Sequence, residues 1–229
     1  MFFHPMDFLI FIAFGLSIWA QFKVKSSFNH WAEVPASGGL TGAEVARHIL
    51  NNNNLPNVPV EVVSGRLSDH YDPMARTVRL SEEVYYGRSI ASVSVAAHEV
   101  GHAIQHDTSY GFLTLRHRIF PIVNIASGAA PLLLLAGFLL QAYSLIGVGI
   151  LLFSVAVTFQ LITLPVEYNA SSRAKKLMLA SGIIHETDRK GVNKVLGAAA
   201  LTYLAATLIS VLELVKYLFI FFQGQTEEE

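Results

Sequence analysis

Residues 119–166 read IFPIVNIASGAAPLLLLAGFLLQAYSLIGVGILLFSVAVTFQLITLPV, without a single Asp, Glu, Lys or Arg. The hydrocarbon core of a bilayer is spanned by about 20 apolar residues of helix. Ile119–Leu140 and Ser144–Val166 are each long enough. Only Gln141-Ala142-Tyr143 separates them, so the two spans form a tight antiparallel hairpin. Two further stretches belong with them. Met6–Phe22 carries Asp7 as its only charge. Residues 195–222 are apolar to Leu212, meet Glu213 and Lys216, and resume as Tyr217–Phe222. The pattern predicts a mostly α membrane protein with four transmembrane helices.

Composition agrees. The 229 residues are 52% hydrophobic and 14% charged, against about 25% charged in an ordinary soluble domain. That excludes a disordered chain and argues against a soluble enzyme. A net charge of −1 gives no basic field to hold nucleic acid, so no nucleic-acid partner is expected. Cysteine is absent, which removes disulfides, thiolate metal ligands and a cysteine nucleophile together. The first span has no basic segment before it and no small-residue cleavage site after Trp19-Ala20-Gln21-Phe22, so it reads as a retained anchor.

Nine Lys and Arg residues, from Lys23 to Arg118, lie between the first and second spans; six more, from Arg173 to Lys194, lie between the third and fourth. The N-terminus, the hairpin and the tail ending in Glu227–Glu229 have none. The positive-inside rule places both basic segments in the cytoplasm and both termini outside, in a multi-pass cytoplasmic (inner) membrane protein whose first partner is the lipid bilayer. The expected order is span 6–22, cytoplasmic domain 23–118, spans 119–140 and 144–166, cytoplasmic segment 167–194 and span 195–222.

Residues 23–118 are enough to fold. Thr41-Gly42-Ala43-Glu44 is a capping-box pattern that opens a helix through Leu50, stopped by the run Asn51–Asn54. Val58–Val63 and Arg76–Leu80 alternate as strands, with a turn at Asp72-Pro73. Ser81 is placed to cap a short turn, and Ser89 to cap a helix running to about His106. Residues 167–194 read as helix, broken at Gly182.

The helix from Ser89 contains His98-Glu99-Val100-Gly101-His102, the pattern H-E-x-x-H. Residues four apart share a helix face, so the two imidazoles can converge on one ion. Glu99 lies beside them as a general base. Zinc bound this way lowers the pKa of a coordinated water to about 7. Gly101 costs the helix about 1 kcal/mol relative to Ala, which makes sense if something packs close to the metal face. A catalytic zinc site needs a third protein ligand. His106 lies about 12 Å along the axis from His98 and cannot share its ion; position 108 is Thr108. Glu167, at the end of the third span after Pro165, is the best choice, because an ionisable group there is expensive without a partner. One Zn2+ per chain, held by His98, His102 and Glu167, is expected.

With Glu167-Tyr168-Asn169-Ala170-Ser171-Ser172-Arg173-Ala174 two spans later, the pentad resembles gluzincin-type membrane zinc peptidases, distantly the HtpX-like and CAAX prenyl proteases. The segments Tyr71-Asp72-Pro73, Val78-Arg79-Leu80-Ser81, Val84-Tyr85 and Ala96 to Gln105 resemble the bacterial neutral zinc metallopeptidase family of small membrane proteins more closely. The resemblance covers nearly the whole chain. It implies a gluzincin-like catalytic domain with a small β element and a cytoplasm-facing zinc site with Glu99 as base. It also implies that Arg76–Leu80 is an edge strand beside the cleft. Broader relatives place an Asp four residues after the ligand Glu; here that position is Ser171, which accepts an imidazole N–H without adding charge.

Tyr168, Asn169, Arg173 and His185 are all able to stabilise an oxyanion, and the sequence does not choose among them. Arg173, six residues past Glu167, points away from it on a helix. His4, His30, His48, His70 and His117 read as surface or interface residues, Asp69-His70-Tyr71-Asp72 as a polar turn, and Glu213 with Lys216 as a pair at the outer interface. The expected activity is zinc-dependent endopeptidase action on peptides or membrane proteins. The alternatives are a site-2-type intramembrane metalloprotease and a non-enzymatic metal-binding membrane protein.

Overall fold

The computed structural model describes residues 5–226, in the order α1 (Pro5–Ala32), α2 (Gly42–Asn52), β1 (Val60–Val63), β2 (His70–Asp72), β3 (Thr77–Ser81), α3 (Glu82–Tyr86), α4 (Ile90–Asp107), α5 (Gly111–Leu140), α6 (Tyr143–Ala180) and α7 (Arg189–Thr226). His4 and the acidic tail Glu227–Glu229 lie outside the described residues. The fold is mostly helical. Helices α1, α5, α6 and α7 are each long and apolar enough to cross a membrane. All four overrun the apolar stretches: α1 runs to Ala32, α5 starts at Gly111, and α6 continues through Pro165 to Ala180.

The chain divides into two compact units. The first comprises residues 1–19, 114–164 and 202–229. Much of its apolar surface is exposed, as at Phe11, Ile125, Leu139 and Leu151; helices that face lipid carry such surface. Gly137 lets α5 and α6 close up, since a Cβ there would lie 2.8 Å from the Ile146 backbone nitrogen. Leu134, Ile146 and Ile150 form the buried centre of this contact. Lys216 of α7 pairs with Asp7 of α1, so its ion pair is with the charge of the first span rather than with Glu213.

The second unit comprises residues 20–113 and 165–201. Its core gathers Val45, Ile49 and Leu50 of α2, Val78 and Leu80 of β3, Val93, Ala97 and Val100 of α4, and Ala174 and Met178 of α6. The capping box forms as the sequence indicates: Thr41 Oγ1 accepts from Glu44 N and Glu44 Oε2 accepts from Thr41 N. Ser89 caps α4 by accepting from Ser92 N. Ser81 makes no cap bond; its hydroxyl and its N–H both go to Asp69.

The sheet corrects one expectation. Its strand order is β1-β3-β2, so β3 is central and not an edge. It pairs in parallel with β1, Val60 opposite Val78, and antiparallel with β2, Tyr71 opposite Val78. The three polar residues of β2 read as a turn because they lack apolar alternation. They pair as a strand because Asp72 Oδ1 accepts from Met74 N and Ala75 N, which folds residues 73–76 into a tight connection, and because Asp72 pairs with Arg79 across the ladder. The exposed edges are β1 and β2.

Candidate metal centre

Helix α4 supplies the first half of the site. His98 and His102, one turn apart, present their Nε2 atoms to each other at 3.2 Å, with the rings almost perpendicular. Two ring nitrogens this close either share a proton or take a cation between them. Helix α6 supplies Glu167, whose Oε2 lies 3.2 Å from His98 Nε2 and 3.5 Å from His102 Nε2. Its carboxylate is almost completely buried.

These spacings test whether a metal fits. A tetrahedral zinc ion holds N and O ligands at about 2.0–2.1 Å, which puts neighbouring ligand atoms about 3.3–3.4 Å apart. The three separations of 3.2, 3.2 and 3.5 Å match that triangle. Two imidazoles and one carboxylate are also a donor set that zinc favours in catalytic sites. Among the described residues, His98, His102 and Glu167 are the group that could hold an ion.

Gly101 explains how two helices so far apart in sequence meet here. A Cβ at Gly101 would lie 2.9 Å from the Ala170 carbonyl oxygen and 3.2 Å from Ala170 Cα. Backbone meets backbone at this point, so Glu167, one turn before Ala170 on α6, reaches the imidazoles of α4. Gln105 fastens the same contact, donating from Nε2 to the Val166 carbonyl at 2.8 Å and to Asn169 Oδ1 at 3.0 Å.

Each imidazole has a partner on its other nitrogen. Ser171 Oγ lies 3.1 Å from His98 Nδ1, and Gln105 Oε1 lies 2.9 Å from His102 Nδ1. Partners of this kind orient metal-binding imidazoles. Burial alone works against the charged form of His102, but the Glu167 carboxylate outweighs it and holds the pKa above the ordinary histidine value. Glu99 is buried next to this group, and no described residue hydrogen-bonds its carboxylate.

The remaining candidates separate. Asn169 and Arg173 join the surroundings of His102: Arg173 Nε donates to Asn169 Oδ1 at 2.7 Å. Tyr168 is 73% exposed. His185 is tied through its backbone N–H to Ser37 Oγ and Asp188. His106 turns to the sheet, where its Nδ1 lies 2.9 Å from the Tyr71 hydroxyl. Sequence reasoning assigned no role to Gln105. Its signal was there: it lies three residues beyond His102, on the same helix face, as a lone amide after Ala103-Ile104.

The family described as putative neutral zinc metallopeptidase matches residues 6–222. A relative from Bacillus subtilis (strain 168), described as putative membrane protease YugP, is 63% identical over 220 residues, covering 96% of this chain and 98% of its own. No solved structure matches.

Proposed function

Because the chain belongs to the neutral zinc metallopeptidase family, we propose that it is a zinc-dependent membrane endopeptidase that hydrolyses peptides or membrane proteins at the cytoplasmic face of the inner membrane. The observation that carries this reading is the triangle of His98, His102 and Glu167 with the unengaged carboxylate of Glu99 beside it. His98, His102 and Glu167 hold one zinc ion. When bound, that ion supplies Lewis acidity for peptide-bond hydrolysis.

Glu99 moves the protons. It takes one from water as the oxygen adds to the substrate carbonyl, and returns it to the amide nitrogen as the C–N bond breaks. Burial of Glu99 without a competing donor keeps its carboxylate available for this transfer. Gly101 and Gln105 hold α4 against α6, so the ligands are in place before substrate arrives. Peptides, or membrane proteins with loose cytoplasmic segments, suit a site whose ligands sit one residue beyond the third apolar stretch and in the basic segment before the second.

The test is Glu99→Gln in the full chain, assayed for bound zinc and for cleavage products in membranes. The expected variant keeps zinc and loses turnover by about 10²–10⁴-fold, the usual worth of a general base. A variant that binds zinc and produces the same cleavage products as the parent removes Glu99 from the chemistry. A transporter or metal sensor would retain its function in this variant.

A further inference from the structure

We infer that Gln105 is the residue that positions His102 for metal binding, and that a directed hydrogen-bond chain from Arg173 through Asn169 fixes its amide. The inference rests on the proposed metal site but does not require the peptidase reading.

The direction of every bond in the chain is determined. A guanidinium only donates, so the 2.7 Å contact from Arg173 Nε makes the facing Asn169 atom an acceptor, Oδ1. A main-chain carbonyl only accepts, so the Gln105 atom 2.8 Å from Val166 O is the Nε2 amide. That same amide donates to Asn169 Oδ1 at 3.0 Å. Turning the Gln105 amide over would set its oxygen against two acceptors at once.

Gln105 Oε1 therefore faces His102 Nδ1 at 2.9 Å. An oxygen there requires the proton on Nδ1, so the neutral ring that a metal binds carries its lone pair on Nε2, facing Glu167 and His98. This is the tautomer that a metal at the three-ligand triangle needs. Gln105 is fully buried, so no water competes for either end of its amide. The amide serves His102 as Ser171 Oγ serves His98 at 3.1 Å. This chain orients its two imidazoles with an amide and a hydroxyl. The positive charge of Arg173 stands at the far end of the chain, six residues past Glu167 on α6.

The experiment measures zinc affinity of the full-length protein in detergent, by competition with a chelator of known affinity, together with the melting midpoint of the metal-free protein. Gln105→Leu keeps the bulk and removes the acceptor; zinc affinity should fall about 10–100-fold, the usual effect of losing an orienting partner. Asn169→Asp keeps an acceptor for both Arg173 Nε and Gln105 Nε2 and should bind zinc within about threefold of the parent, even if it melts lower. Retention of parental affinity by Gln105→Leu overturns the inference. So does an equal loss of affinity in both variants that follows their melting midpoints, which would mark Gln105 as packing alone. Should Gln105→Leu fail to fold, weakened binding by a folded Asn169→Asp is the overturning result. Zinc affinity is read without turnover, so a failed peptidase reading leaves the outcome interpretable.

Discussion

Gly101→Ala sets two magnitudes against each other. Alanine is favoured over glycine in a helix by about 0.8–1.0 kcal/mol, so α4 considered alone becomes more stable. The added Cβ, however, would stand 2.9 Å from the Ala170 carbonyl oxygen, 3.3 Å from its carbon and 3.2 Å from its Cα. These are backbone atoms of a continuous helix and cannot rotate away. Moving from 2.9 Å to an ordinary contact of 3.4 Å separates α4 from α6 by roughly 0.5 Å. Overpacking of this kind costs about 1–3 kcal/mol, so the net stability change falls between neutrality and a loss of about 2 kcal/mol. The metal site is more sensitive. Glu167 rides on α6 one turn from Ala170, and ligand distances tolerate about ±0.2 Å. A separation of roughly 0.5 Å should weaken zinc at least tenfold, about 1.4 kcal/mol. The assay is chelator competition in detergent, paired with thermal unfolding of the metal-free protein. A variant that binds zinc as the parent does, and melts higher, would show that this contact does not set the ligand triangle.

Three further outcomes are expected. Stripping zinc with a chelator should lower the melting midpoint, since a ligand that binds only the folded state at 100 times its Kd adds about 2.7 kcal/mol; Glu167→Ala should abolish that shift, and an undiminished shift would take Glu167 out of the site. The Asp72 carboxyl is held down to about 2 by the backbone N–H of Ala75 and by Arg79. A depressed carboxyl contributes stability above its unfolded pKa of about 3.9 and loses it as pH falls toward the folded value. Asp72→Asn should thus melt below the parent at pH 6, with the difference closing near pH 2; a gap that persists in acid would refute the charge pairing with Arg79. Lys216 and Asp7 form a partly buried pair, and removing one partner costs more than replacing both with apolar groups. Lys216→Leu should therefore melt lower than the double variant Asp7→Leu/Lys216→Leu, and equal midpoints would mean that the pair contributes nothing.

Much of the local structure was legible because its causes are local. The box at Thr41 and Glu44, the cap at Ser89 and the shared face of His98 and His102 each depend on residues within four positions. The apolar stretches announce their helices through hydropathy alone, although their ends do not: α6 runs on past Pro165 and Glu167 because the next turns bury Ala170, Ala174 and Met178 against α4 and its neighbours. The sheet order was not legible. Whether β3 lies at an edge depends on whether three polar residues pair beside it, and the bonds of Asp72 that bring them there have no periodic signature.

By itself, then, the order of residues determined four apolar helices, a capped helix carrying two imidazoles on one face, and a distant carboxylate in need of a partner, because hydropathy and helical periodicity act over a few turns. Only the tertiary structure decided that Glu167 comes within 3.2 Å of His98, and that Gln105, Asn169 and Arg173 line up behind His102. Those distances depend on how closely two helices 69 residues apart at the contact can approach. That is set by the missing side chain at Gly101 and the backbone it meets.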